Sequence, residues 1–179
     1  MDASTAAILG AAIGATGGLG GGLLTLFTQT RHLNAQHQAE HTRWSADMRR
    51  ETYTALLTAT KQLSNILWKA SDQLHEPTAT ATDWHTAFRD VHDAWTHFSA
   101  ASAAVSLAGP HAVAASADRL RHAMNHWEML SGAWIRTAIR EETGQLQDYE
   151  TRFVEAANAK KPLEEAFQLA ARKALGTEA

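Results

Sequence analysis

The chain contains no cysteine, so it has no disulfide bond, no thiolate metal site and no cysteine nucleophile. Only three prolines interrupt its 179 residues, which leaves room for long helices. No segment sustains a period-two alternation of apolar and polar residues, so we predict no sheet. Excess charge is also lacking: 16 lysines and arginines against 19 aspartates and glutamates give a formal net charge of −3. That balance excludes a strongly basic nucleic-acid-binding protein, and we expect no nucleic-acid partner.

Charge is absent from nearly the whole N-terminal segment. Between Asp2 and Arg31 lie 28 uncharged residues. Their apolar part, residues 6–27, would span about 33 Å as a helix, and a bilayer core is about 30 Å thick. Two alternatives fit less well. A secretory signal needs a basic start and a cleavage site, and this segment has neither. A glycine-rich leader of a soluble protein would be expected to carry charge. We therefore predict a transmembrane segment at residues 1–30, with its helix at about 6–28.

Basic residues follow this segment and none precede it. They are Arg31, Arg43, Arg49 and Arg50. Because positive residues stay in the cytoplasm, the sequence predicts a single-pass protein of the cell membrane, with its N-terminus outside and residues 31–179 cytoplasmic. The same juxtamembrane arginines are suited to contact the anionic headgroups of the lipid bilayer.

Glycines recur every four residues along the predicted membrane helix, at Gly10, Gly14, Gly18 and Gly22. This spacing puts small residues on one stripe and lets two helix backbones approach closely. It predicts self-association into a homo-oligomer, although seven glycines among 22 residues could also produce the pattern by chance.

Apolar residues at steps of three and four predict four amphipathic helices after the membrane segment. The first stripe is Tyr53, Leu56, Thr60, Leu63, Leu67, Ala70 and Leu74. The second, on a helix from an N-cap at about Thr82 to Ala108, is Trp84, Phe88, Val91, Trp95, Phe98, Ser102 and Val105. The third is Val113, Ala117, Leu120, Met124, Trp127, Ser131, Trp134 and Ala138. The fourth is Leu146, Tyr149, Phe153, Ala156, Lys160, Leu163, Phe167, Ala170 and Ala174.

Glycine and proline mark the predicted breaks between these helices. They fall at Glu76-Pro77, Gly109-Pro110 and Gly144, with a kink or restart at Pro162 and an end at Gly176. The most economical arrangement is all-α: a transmembrane helix, a juxtamembrane stalk at 31–44 and an antiparallel helical bundle at 45–176 with coiled-coil-like seams.

One short motif has metal-binding spacing. His37, Glu40 and His41 match the H-x-x-E-H pattern of inverted zincins, in which two histidines share a zinc ion and the glutamate polarises a water. The motif lies on the predicted stalk, without an evident third ligand, and is more typical there of an exposed polar helix. His37 and His41 stay weak metal candidates; we expect no catalytic residue and no cofactor.

Three further segments give the chain a family resemblance: Trp44 with Arg49-Arg50-Glu51 and Tyr53, then Val105 to Pro110, then Phe167 with Ala171 to Gly176. In these segments and in layout the chain resembles small actinobacterial proteins with one N-terminal membrane helix and an alanine-rich helical cytoplasmic part. The plan is also similar to small membrane proteins of actinobacterial conjugative plasmids that assist intramycelial spread. The resemblance implies a bacterial membrane-anchored helical protein with no assigned catalytic residues.

The sequence therefore predicts a membrane-anchored, non-enzymatic helical scaffold that recruits a protein partner and self-associates through the glycine stripe. Two alternatives stay open. One is a membrane component of plasmid transfer or a pore-like assembly. The other is a zinc-dependent hydrolase acting through His37, Glu40 and His41.

Overall fold

The computed structural model describes residues 43–177, which form four α-helices joined by short connections. Helix α1 covers residues 43–75, α2 Ala81–Ala108, α3 His111–Glu141 and α4 Gln147–Ala174. No strand occurs within that range, so the predicted all-α class is confirmed there. Contacts divide the chain between Ser45 and Ala46, and the bundle discussed below begins at Ala46.

No helix within residues 43–177 is long and apolar enough to cross a bilayer. The predicted transmembrane segment at 1–30, and all but the last two residues of the predicted stalk, lie outside the described residues.

Helices α1 and α2 run antiparallel, because hydrogen bonds join opposite ends of the two. Near the start of α1, the Arg49 Nε donates to the carbonyl oxygen of Ala108 at the end of α2, at 3.2 Å. Near the end of α1, the carbonyl oxygen of Gln73 accepts a bond from the Trp84 Nε1 in the first turn of α2, at 3.4 Å. The connection between them is five residues long.

Helix α3 runs antiparallel to α2 and to α4. The Arg136 guanidinium near the end of α3 lies 5.6 Å from the ring centroid of Phe88 near the start of α2. One residue further along α3, the Thr137 hydroxyl lies 3.2 Å from the Tyr149 hydroxyl in the first turn of α4. Because each helix runs antiparallel to the next, the four helices follow an up-down-up-down order.

Contacts between α4 and α1 close the bundle. The rings of Tyr53 and Phe167 meet edge to face at 6.1 Å, near the start of α1 and the end of α4. At the other end, the Glu150 Oε2 lies 3.6 Å from the His75 Nε2. These contacts also make α1 and α4 antiparallel, so the predicted helical bundle is confirmed for the described part of the chain.

The predicted stripes of α1 and α3 are confirmed in full, because every residue assigned to them is buried. In the α2 stripe, Phe88 and Trp95 are only partly buried, and in the α4 stripe only Phe153, Ala156 and Phe167 are fully buried. Burying a Leu or Phe side chain contributes about 1.5–3 kcal/mol, so the two complete stripes supply most of the apolar stabilisation.

The predicted N-cap of α2 at Thr82 is wrong by two residues: α2 begins at Ala81, and Thr80 is its N-cap. Asp83 explains the difference, because its Oδ2 accepts hydrogen bonds from the Thr80 backbone N–H at 2.9 Å and from the Thr80 hydroxyl at 2.7 Å. These bonds hold the pKa of the Asp83 carboxyl below its usual range. The carboxylate therefore satisfies a backbone N–H at the helix start.

The predicted break at Gly144 is confirmed as a connection, but a different residue ends α3. The helix ends at Glu141, and Glu142 takes the left-handed conformation with φ 53°. Gly144 has another role: a Cβ built on it would collide with the backbone carbonyl of Leu74, at the end of α1. Its own carbonyl oxygen accepts a hydrogen bond of 2.9 Å from the buried Trp134 Nε1. The glycine is therefore required by close backbone packing.

Of the two alternatives predicted at Pro162, a kink or a restart, the restart is wrong, because α4 continues through this residue from Gln147 to Ala174. A proline inside a helix leaves the carbonyl four residues earlier without its usual donor. That residue, Asn158, is exposed, so water can satisfy its carbonyl oxygen.

Candidate binding groove

An open groove of about 430 Å³ lies between the last third of α1 and the first turns of α4. Its lining consists of Trp68, Ser71, Asp72, His75, Glu76, Glu150 and Val154. The α1 residues of the lining lie one helical turn apart, which places them on one face of that helix. The groove thus combines one aromatic ring with three carboxylates.

Trp68 forms one end of the groove and is unusually exposed for a large aromatic residue. This residue is 42% exposed, whereas the other Trp, Tyr and Phe residues of the bundle are buried or half-buried. The inner part of the ring is held in place by edge-to-face contacts with Phe153 at 5.2 Å and with Trp127 at 6.0 Å. A large, rigid and partly exposed aromatic side chain is typical of an anchor in a protein interface.

His75 connects the two walls of the groove. Its Nδ1 lies 2.8 Å from the carbonyl oxygen of Ser71, one turn earlier in α1. Because a carbonyl only accepts, Nδ1 carries the proton, and Nε2 donates to Glu150 only when the ring is protonated. The imidazole also meets the buried Trp134 edge to face at 5.4 Å. These contacts hold the ring and the end of α1 in a fixed position.

A second polar cluster lies between α2 and α3. Burial raises the pKa of the half-buried Glu128 carboxyl, and the charges of His92 and Arg136 oppose that change. The Arg136 guanidinium also stacks over Phe88, as described above. The cluster therefore places one carboxylate among compensating positive charges, which is an arrangement typical of helix packing.

A serine and a lysine meet between α1 and α4, where a catalytic dyad would need them. The Lys160 Nζ donates to the Ser64 Oγ at 3.2 Å and pairs with the Glu164 carboxylate at 3.0 Å. A lysine that acts as a base needs a free lone pair, and this ammonium is engaged as a donor. Ser64 is 6% exposed and donates to the carbonyl oxygen of Thr60 at 2.7 Å. The pair therefore joins the two helices.

One exposed histidine of α3, His122, pairs within its own helix. The Asp118 carboxylate accepts from Arg121 at 2.8 Å and lies 3.3 Å from the His122 Nε2. Arg121 first, and His122 with it, hold the pKa of the Asp118 carboxyl below its usual range. This is i,i+3 and i,i+4 pairing on a solvated face. Across residues 43–177, no group of three or more histidines and carboxylates is placed to hold a metal ion.

The sequence-predicted site residues fall into two groups. Outside the described residues lie the metal candidates His37 and His41, the first arginine, Arg31, and the glycine stripe of Gly10, Gly14, Gly18 and Gly22.

The remaining three predicted residues are the arginines of α1. Arg43 is exposed at the first described position. Arg49 donates to the last carbonyl oxygen of α2, so it has a structural role that the sequence did not indicate. Arg50 lines a shallow groove of about 280 Å³ between α1 and the end of α4, together with Arg172.

Sequence reasoning missed the groove at Trp68. One signal was present: Trp68 lies directly beside the apolar stripe of α1, followed by Asp72 one turn later. An aromatic residue that lies beside the buried stripe and is followed by an acidic residue at i+4 is expected to lie at the protein surface. Its partners on α4 are 82 and 86 residues away and could not be identified without the packing of the helices.

Compared with models of protein families, with curated proteins and with solved structures, the chain has no match.

Proposed function

We propose that this protein is a membrane-anchored, non-enzymatic interaction protein whose helical bundle presents a groove to a protein partner. The groove at Trp68 is the observation that carries the proposal. Trp68 is held rigidly, is 42% exposed and shares the groove with three carboxylates, so it leaves apolar surface that contact with a partner would cover.

The anchor in this proposal is the uncharged segment at residues 3–30. The length of its apolar part, residues 6–27, matches the thickness of a bilayer core, and four arginines follow the segment while none precede it. The bundle would then lie in the cytoplasm, joined to the membrane helix by the stalk at 31–44. A tether of this kind concentrates the bundle at the membrane surface, where a bound partner would also be held.

Self-association through Gly10, Gly14, Gly18 and Gly22 completes the proposal. An oligomer would present several grooves on one side of the membrane, and several weak sites acting together hold a multivalent partner more tightly than one.

The glycine stripe can be tested with two isoleucine substitutions, Gly14→Ile and Gly18→Ile. We expect the full-length protein in mild detergent to have the mass of a defined oligomer, and the double variant to have the mass of a monomer. The reason is that two β-branched side chains keep the helix backbones apart. The measurement is light scattering corrected for bound detergent.

The matched control is the pair Ala12→Ile and Thr16→Ile, which adds the same bulk to the opposite face of the predicted helix. This variant should keep the oligomer. An unchanged mass in the Gly14→Ile and Gly18→Ile variant would remove the glycine stripe from the account.

A further inference from the structure

The lining of the groove at Trp68 carries a net negative charge. It contains the carboxylates of Asp72, Glu76 and Glu150, one histidine, and no lysine or arginine. Asp72 has no hydrogen bond or ion pair with any residue between 43 and 177. Glu150 faces His75 at 3.6 Å, a pair that is charged on both sides only when His75 is protonated. The groove therefore has negative charge that the described chain does not neutralise.

The nearest cations in the sequence face other surfaces. Lys69, next to Trp68, lines a narrow gap between α1 and α2 that also contains Asp90. Arg152, two residues after Glu150, lies over the ring of Tyr149 at 6.0 Å. Within residues 43–177, no lysine or arginine therefore supplies positive charge to the groove.

We infer that this groove binds an arginine-bearing segment of a partner protein. A guanidinium suits it better than an ammonium, because its planar fork can bond a carboxylate with two parallel N–H groups and can stack on an indole. Both kinds of group are present, with Trp68 at one end and Asp72 one turn further along α1.

The dimensions fit a short extended peptide. From Trp68 to His75, the last residue of α1, the helical wall is about 10 Å long at 1.5 Å per residue, the length of about three extended residues, and Glu76 directly follows it. Side chains at i and i+2 of an extended segment point the same way, about 7 Å apart. Asp72 lies in the last turn of α1 and Glu76 is the first residue after the helix, four positions or about 6 Å further along. An Arg-x-Arg sequence therefore matches the spacing of the two carboxylates.

The inference rests on the proposed interaction function and adds the chemistry of the partner. It is tested with full-length protein in an uncharged detergent, labelled with 5-fluorotryptophan, whose six tryptophan signals are followed by ¹⁹F NMR. The Trp68→Phe variant identifies the Trp68 signal. The probe is the peptide acetyl-Gly-Arg-Ala-Arg-Gly-amide, compared with the same peptide carrying glutamine or glutamate in place of arginine.

We expect the arginine peptide to shift the Trp68 signal saturably, and the glutamate peptide to leave it unchanged. The Asp72→Asn and Glu150→Gln double variant should bind about tenfold more weakly, since each exposed charge pair removed weakens binding about threefold. The matched control is Asp93→Asn with Glu165→Gln, which removes two exposed carboxylates outside the groove and should keep the affinity within about twofold.

Three results would overturn the inference. If the glutamine peptide shifts Trp68 equally, the groove binds peptides without using its charge, and the proposed interaction function survives alone. If the two double variants weaken binding equally, the peptide senses overall charge and does not occupy this groove. If the Trp68 signal changes with protein concentration and without peptide, a second copy of the chain fills the groove.

Discussion

Replacing Gly144 by alanine should lower the free energy of unfolding by about 3 kcal/mol, at the upper end of the usual cost of overpacking. A Cβ at this position has no room, because the backbone carbonyl of Leu74 occupies it. The connection before α4 must then move away from α1, which also weakens the bond between Trp134 and the Gly144 carbonyl oxygen. For a bundle of this size the midpoint of thermal unfolding should fall by about 10 °C, measured by circular dichroism.

Gly176→Ala is the matched control for this substitution. Gly176 has φ 67°, and a Cβ built on it meets nothing within 4 Å. Alanine there should cost about 1 kcal/mol, the price of the left-handed conformation alone. If the Gly144→Ala variant is no less stable than the Gly176→Ala variant, the packing of this connection against Leu74 is wrong.

Replacing Phe153 by alanine should lower the free energy of unfolding by about 3–5 kcal/mol. Its ring lies at the centre of the aromatic cluster, 5.2 Å from Trp68, 5.3 Å from Trp127 and 5.7 Å from Trp134. Truncation leaves a cavity among three rings that belong to α1 and α3. Denaturant unfolding followed by tryptophan fluorescence measures the loss, and the near-ultraviolet circular dichroism of the folded protein should weaken as well.

The neighbouring residue provides the control for the aromatic cluster. Val154 is 39% exposed, and Val154→Ala should change the free energy of unfolding by less than about 1 kcal/mol. A Phe153→Ala variant with unchanged near-ultraviolet signal and stability would contradict the described cluster.

The helices and their buried faces could be predicted from the sequence because local physics determines them. Apolar residues at steps of three and four, from Tyr53 to Leu74 and from Val113 to Ala138, correspond to the two stripes that are completely buried. Proline and glycine at positions 77, 109 and 110 mark connections for equally local reasons.

Other features depend on contacts that are distant in the sequence. The requirement for glycine at position 144 comes from Leu74, 70 residues earlier, so the sequence around Gly144 does not reveal it. Pro162 stays inside α4 because packing on α1 and α3 holds that helix together on both sides of it. Local rules alone predict a kink or a restart at such a proline.

The groove at Trp68 also depends on contacts between residues that are distant in the sequence. Its α1 wall follows from the helical period, but Glu150 and Val154 join it only because α4 packs antiparallel to α1. Arg49 shows the same dependence: its Nε bonds the carbonyl oxygen of Ala108, a contact across two helices that its position in the sequence does not indicate. A pattern on one helix indicates which face is polar, and the neighbouring helix decides how that face is used.

An alkaline carbonate wash of bacterial membranes tests the proposed membrane anchor at residues 1–30. The full-length chain should stay in the membrane pellet and be released only by detergent. As a control, the Leu19→Arg and Leu23→Arg double variant should be released, because each arginine near the centre of a membrane helix costs about 3 kcal/mol. Recovery of the unmodified chain in the carbonate supernatant would contradict the account.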